Sequence, residues 1–96
     1  MTTTPVLFKN SKDTPRHQLC ALFRKECPLN TPEQLAYLRD LIAGSVARKY
    51  PKKNKWEQAM VADAMFHRLS SKLTMDIDNF VVGMELLGKK VSVVFE

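Results

Sequence analysis

The sequence predicts a mainly α domain: a compact four-helix arrangement with short N- and C-terminal β-strands able to pair. Three observations carry that expectation. Apolar residues recur at intervals of three and four in four separate stretches. Capping chemistry precedes these stretches, most clearly at Thr31-Pro32-Glu33-Gln34 and Asn54-Lys55-Trp56-Glu57. Short β-prone runs stand outside the helical stretches, near each end of the chain.

The first run, Pro5-Val6-Leu7-Phe8-Lys9, is followed by a polar breaker at Asn10-Ser11-Lys12-Asp13. Thr14-Pro15 then has the form of a cap followed by proline at the first helical position, where its missing N–H costs nothing. Leu19, Leu22, Phe23 and Glu26 continue at helical spacing until Cys27-Pro28 closes the segment.

The second helix begins at the Thr31 cap, with Gln34 placed to complete a capping box. Leu35, Leu38, Leu41, Ile42 and Val46 line one face, and Lys49-Tyr50-Pro51 ends it. Gly44 weakens this helix and is expected to mark a close helix crossing.

The third helix has Ala59, Ala62, Met65, Phe66, Leu69 and Leu73 on one side and Trp56, Met60 and Ala64 on nearly the opposite one. A helix apolar on two sides is expected at the centre of its domain, with its second stripe buried inside the chain. A dimer or partner-helix contact is the competing reading of that stripe, since Trp and Met are enriched at interfaces.

The fourth helix follows a cap at Asp76 or Thr74, with Ile77, Phe80, Val81, Met84 and Leu87 in register. Gly88 stands where a left-handed residue ends such a helix, and Lys89 and Lys90 suit the negative end of its dipole. Val91 to Glu96 is too β-branched for another helix. The core is expected on helices two to four, at Leu38, Leu41, Ile42, Met65, Leu69, Phe80, Val81 and Met84.

At 96 residues the chain is expected to form one domain, 1–96, which ends so close to a strand that it resembles a piece of a longer protein. A domain of this size buries only about 60–65% of the surface its unfolded chain exposes. The N-terminus lacks the charged region and long apolar run of a secretory signal, and no stretch is long enough to span a bilayer. Cys20 and Cys27 are therefore expected to be free thiols in an intracellular protein, cytoplasmic or nuclear.

Fifteen Lys and Arg against ten Asp and Glu leave a net charge of +5, which favours a polyanionic partner. Where the charges sit matters more than their sum. Arg48, Lys49, Lys52, Lys53 and Lys55 fall within eight residues, between helices two and three and beside Tyr50 and Trp56. So many neighbouring cations repel one another, and a bound polyanion would relieve the repulsion and release counterions. The amides that open helix three add a second attraction for phosphate, and either aromatic ring could stack on a base or support a lysine stem. The plain alternative is a solvated loop with both rings turned inward. Arg16, Arg24, Lys25, Arg68 and Lys72 are candidates to extend the patch.

No zinc-finger spacing, RNP-type strand or GXXG loop accompanies these residues. His17, Cys20, Cys27 and His67 could supply four zinc ligands, but without the paired spacing that usual zinc sites show, so no metal or cofactor is expected. A cysteine–histidine pair from the same residues lacks any glycine elbow or third orienting group. Asp76 and Asp78 are better explained as a cap and a first-turn acid than as a paired-carboxylate site.

The functional expectation is a small non-enzymatic domain that contacts nucleic acid phosphates through Arg48, Lys49, Tyr50, Lys52, Lys53, Lys55 and Trp56. DNA and RNA are not distinguished. The alternative is a protein-interaction module, an adaptor or inhibitor able to form a homodimer, that uses Trp56, Met60 and Ala64.

Overall fold

A computed structural model describes residues 3–8 and 15–95, with side-chain surroundings for 15–92. Strand β1 (Thr3–Phe8) leads to helices α1 (Pro15–Glu26), α2 (Pro32–Lys49), α3 (Lys55–Leu69) and α4 (Ile77–Leu86), and strand β2 (Lys90–Phe95) follows. This is the expected mainly α, four-helix domain. The expected roles of Lys9, the 10–13 breaker, the Thr14 cap and Glu96 lie outside the described residues.

The two strands pair with each other in parallel, Thr3 opposite Lys90 and Phe8 opposite Phe95. Parallel pairing needs a long crossover, which the four intervening helices supply. β2 in turn packs on α4.

Local chemistry sets the helix boundaries. At α2, Thr31 Oγ1 accepts the Gln34 amide at 3.2 Å, while Gln34 Oε1 accepts the amides of Asn30 (2.7 Å) and Thr31 (3.1 Å). At α3, Asn54 Oδ1 accepts the Glu57 amide at 2.8 Å, and the Glu57 carboxylate accepts the Asn54 amide at 3.4 Å. Asp76 caps α4 by accepting the Asn79 amide at 2.8 Å. Gly88 ends it in the left-handed region with φ 79°. The Gly88 amide donates to the Glu85 carbonyl and the Lys89 amide to the Met84 carbonyl, both at 2.9 Å, which completes a Schellman motif.

Three expectations about packing are corrected. First, α4 holds the centre rather than α3: it packs against α1, α2, α3 and β2. Its Phe80, Gly83 and Met84 are buried, and Val81, Val82, Leu86 and Leu87 are half-buried around it. The outer side of α3, by contrast, faces solvent at Trp56, Ala59, Met60, Asp63, Ala64 and His67.

Second, the core does not belong to helices two to four alone. Leu19, Cys20, Phe23 and Cys27 bring α1 into it, and Val46, Phe66 and Met75 join Leu38, Ile42, Leu69, Phe80 and Met84. Leu41, Met65 and Val81 are only half-buried, Leu35 and Ala59 are exposed, and Leu73 lies beyond the end of α3 with 74% of its surface open.

Third, the close helix crossing falls at Gly83 and not at Gly44. A β-carbon on Gly83 would stand 2.7 Å from Phe23 Cε1, whereas one on Gly44 would meet only the end of the Arg48 side chain at 3.4 Å. Gly83 is what lets α4 lie directly on the Phe23 ring of α1.

Polar contacts complete the join. The Arg24 guanidinium of α1 donates to the carbonyls of Leu69 (2.7 Å), Ser71 (2.6 Å) and Cys27 (3.3 Å). It thereby caps the C-terminal end of α3, where the helix dipole is negative. Lys89 does not serve the α4 dipole through its ammonium; that group pairs with Glu26 at the end of α1. Cys20 and Cys27 are free and buried, and Cys20 Sγ donates to the Ser71 carbonyl at 3.4 Å. No described helix is long and apolar enough to cross a membrane.

Candidate functional site

The basic residues meet at one corner, where the C-terminal end of α2 turns into α3. The Tyr50 amide still donates to the Val46 carbonyl (2.9 Å), but its own φ of −128° and ψ of 58° leave the helix. Tyr50, Pro51, Lys52 and Lys53 form a turn closed by the Lys53 amide on the Tyr50 carbonyl at 3.2 Å. Pro51 occupies the second turn position, where its fixed φ is favourable. From inside α3, Gln58 Nε2 donates to the Tyr50 carbonyl at 2.9 Å and the Lys53 carbonyl at 3.2 Å. The turn is thus fastened at both its ends to the helix that follows.

All seven residues of the expected site are exposed: Arg48, Lys49, Tyr50, Lys52, Lys53, Lys55 and Trp56. Trp56 leaves 70% of its surface open and Tyr50 41%, so neither ring is a core residue. The expectation that the Trp56, Met60 and Ala64 stripe is buried inside the chain is therefore overturned. Met60 is 54% exposed and Ala64 is exposed beside it.

The cations differ in how far they are engaged. Lys53 Nζ lies 3.9 Å from the Glu57 carboxylate and 5.8 Å from the centre of the Tyr50 ring. Arg48, Lys49, Lys52 and Lys55 make no ion pair with another described residue. The start of α3 is less open to phosphate than the sequence implies, because the capping box occupies the Glu57 amide and sets a carboxylate at that end. Any anion held here meets side-chain cations first.

The candidates for extending the patch lie elsewhere. Arg24 is committed to three carbonyls. Arg68 stands in the last turn of α3, twelve residues from Trp56, which at the helical rise is about 18 Å. Lys72 follows it in the α3–α4 connection, and Arg16 and Lys25 lie on α1. At the far end of the exposed α3 face the charges are mixed: Asp63 lies 3.9 Å from Arg39 and 3.4 Å from His67. The Arg39 guanidinium also lies over the Phe66 ring, its Cζ 3.8 Å from the ring centre, and so covers the core there.

Sequence reasoning missed Gln58 and the carbonyl clasp of Arg24. A glutamine one turn into a helix after a proline turn is a usable signal for the first; nothing local marks the second. No three Asp, Glu, His or Cys side chains among the described residues gather as metal ligands. His17, Cys20, Cys27 and His67 are not assembled into such a group. No family model, curated protein or solved structure matches this chain.

Proposed function

We propose that this is a small non-enzymatic domain that binds nucleic acid through the α2–α3 corner. Arg48, Lys49, Lys52, Lys53 and Lys55 would contact backbone phosphates. The observation that carries the reading is the exposure of Trp56 and Tyr50 among those five cations, around a turn fastened by Gln58. Exposed aromatic rings interleaved with cations, four of the five without an ion pair among the described residues, offer a nucleic acid strand charge for its phosphates and π faces for its bases. A turn held in one geometry before binding spends less ordering entropy on binding.

A salt titration tests this. Neutralising five phosphates gives a slope of log affinity on log salt of about −3.5 to −4.5, and Lys52→Glu/Lys53→Glu should reduce it by about 1.5 while weakening binding. Binding that survives the double reversal with an unchanged slope excludes this corner as the interface.

One observation favours a second reading, a protein-interaction module. Trp56, Met60 and Ala64 form an exposed stripe at four-residue spacing on α3, the geometry with which helices meet partner grooves. Trp56→Ala and Met60→Ala would then abolish partner capture or self-association and leave the helical signal intact.

A further inference from the structure

We infer that the corner takes single-stranded nucleic acid, with an unpaired base stacked on the Trp56 indole; this rests on the nucleic-acid function proposed above. The indole is the most exposed aromatic group among the described side chains, and it sits in the first turn of α3 directly after Lys52, Lys53 and Lys55. A tryptophan normally contributes to stability by burial, and this one contributes little of that. Its flat face is available to a ligand at the point where the positive charge is densest.

The two rings of the corner are not equivalent. Tyr50 already faces the Lys53 ammonium at 5.8 Å and supports that side chain. Trp56 carries no described cation or ring against it. Met60, one turn further along α3 and 54% exposed, adds a polarisable apolar contact on the same side.

Duplex bases are stacked on one another and present only their edges to a protein. Stacking on an indole needs a base whose face is free, as in a single strand. Lys52 and Lys53 sit on a proline turn, and Trp56 stands in the first turn of the helix that follows it. Charge also marks which part of the surface a phosphate backbone would favour: Lys55, Lys52, Lys49 and Arg48 stand at the corner, whereas the Asp63 carboxylate lies about two turns further along α3.

Size separates a base from a protein partner. Within α3 the large residues of the stripe are Trp56 and Met60 alone, whose α-carbons lie about 6 Å apart along the helix. Two exposed side chains fall far short of the roughly 20–30 residues that each side of a stable protein interface contributes. It suits one planar group.

The test uses labelled oligothymidylate of about 16 nucleotides and a blunt duplex of equal phosphate count. Each is titrated with the wild-type protein, Trp56→Ala, Trp56→Phe and Lys52→Glu/Lys53→Glu, and the emission of the sole tryptophan is followed in the wild type. The wild type should bind the single strand about tenfold more tightly than the duplex, with indole quenching by the single strand only. Trp56→Ala should lose about tenfold on the single strand and little on the duplex, and Trp56→Phe should recover most of that loss. The charge reversal should weaken binding to both probes. If the reversal weakens binding but Trp56→Ala and the emission are indifferent to strandedness, nucleic-acid binding stands and base stacking is refuted. If neither probe binds at low salt, both proposals fall together. Self-association that Trp56→Ala abolishes, seen by sedimentation without nucleic acid binding, would also overturn the inference in favour of a protein contact.

Discussion

Gly83→Ala should destabilise the domain, although the substitution by itself favours a helix. Alanine in a helix interior gains about 1 kcal/mol over glycine. Against that, the new methyl would stand 2.7 Å and 2.9 Å from two atoms of the Phe23 ring and 3.3 Å from Leu69 Cδ2. Carbon atoms in contact prefer about 3.5–4.0 Å. Phe23 and Leu69 are fully buried, so neither can turn into solvent. Overpacking of this kind costs about 1–3 kcal/mol, and two ring atoms under 3 Å place this site at the upper end. The net loss should be about 1–2 kcal/mol, a fall in Tm of roughly 4–16 °C for a domain of this size. Gly44→Ala provides the internal control. It meets only the tip of an exposed arginine, so the propensity gain of roughly 0.5–1 kcal/mol should appear as a higher Tm. Thermal and urea unfolding of both variants, with Phe23→Leu added to Gly83→Ala, makes the comparison. Phe23→Leu should cost less in the alanine background than in the wild type, because it relieves the contact. A Gly83→Ala protein as stable as the wild type, or more so, would refute the account of the α1–α4 crossing.

Removing the Arg24 guanidinium leaves the Leu69, Ser71 and Cys27 carbonyls without their shared donor, so Arg24→Ala should cost roughly 2–4 kcal/mol in urea unfolding. Arg24→Lys should restore only part of it, since an ammonium lacks the planar fork that spans several acceptors. The hydrogen bond and charge of Lys89 hold the Glu26 carboxyl below its ordinary value of 4.5. A carboxylate depressed in the folded state contributes stability above its unfolded pKa and loses it as pH falls through the folded one. Glu26→Gln should therefore flatten the acid limb of a stability–pH curve and leave its shape above neutrality unchanged. Burial pushes the Cys27 thiol up, against the opposing charge of Arg24. Alkylation of native protein near neutral pH should be slow and should accelerate in Arg24→Ala only as far as that variant unfolds.

The helices were legible because their boundary chemistry is local. Thr31 with Gln34, Asn54 with Glu57, Asp76 and Gly88 each act over one turn of chain, and each sits where the sequence places it. The basic corner was legible for the same reason, since its seven residues are nearly consecutive. What periodicity could not convey was the partner of each face. Trp56 and Met60 repeat at helical spacing as core residues do, yet the neighbours that would cover them are absent among the described residues, and α4 took the centre instead. Gly83 looked like any glycine in a good helix until Phe23, sixty residues earlier, was set against it. The Arg24 clasp spans 45 and 47 residues to its two strongest acceptors, a separation at which no sequence spacing carries a signal.

The pairing of β1 with β2 orders events on the ribosome. β1 is among the first parts of the domain to be synthesised, and its hydrogen-bonding partner is made only after all four helices. Until then the backbone donors and acceptors of the strand have only water as a partner, while the helices can already form. The same holds for α1, whose Phe23 is seated by a glycine on α4. Folding of this domain is thus completed late in its own synthesis, and its first strand is the element that waits longest for its partner.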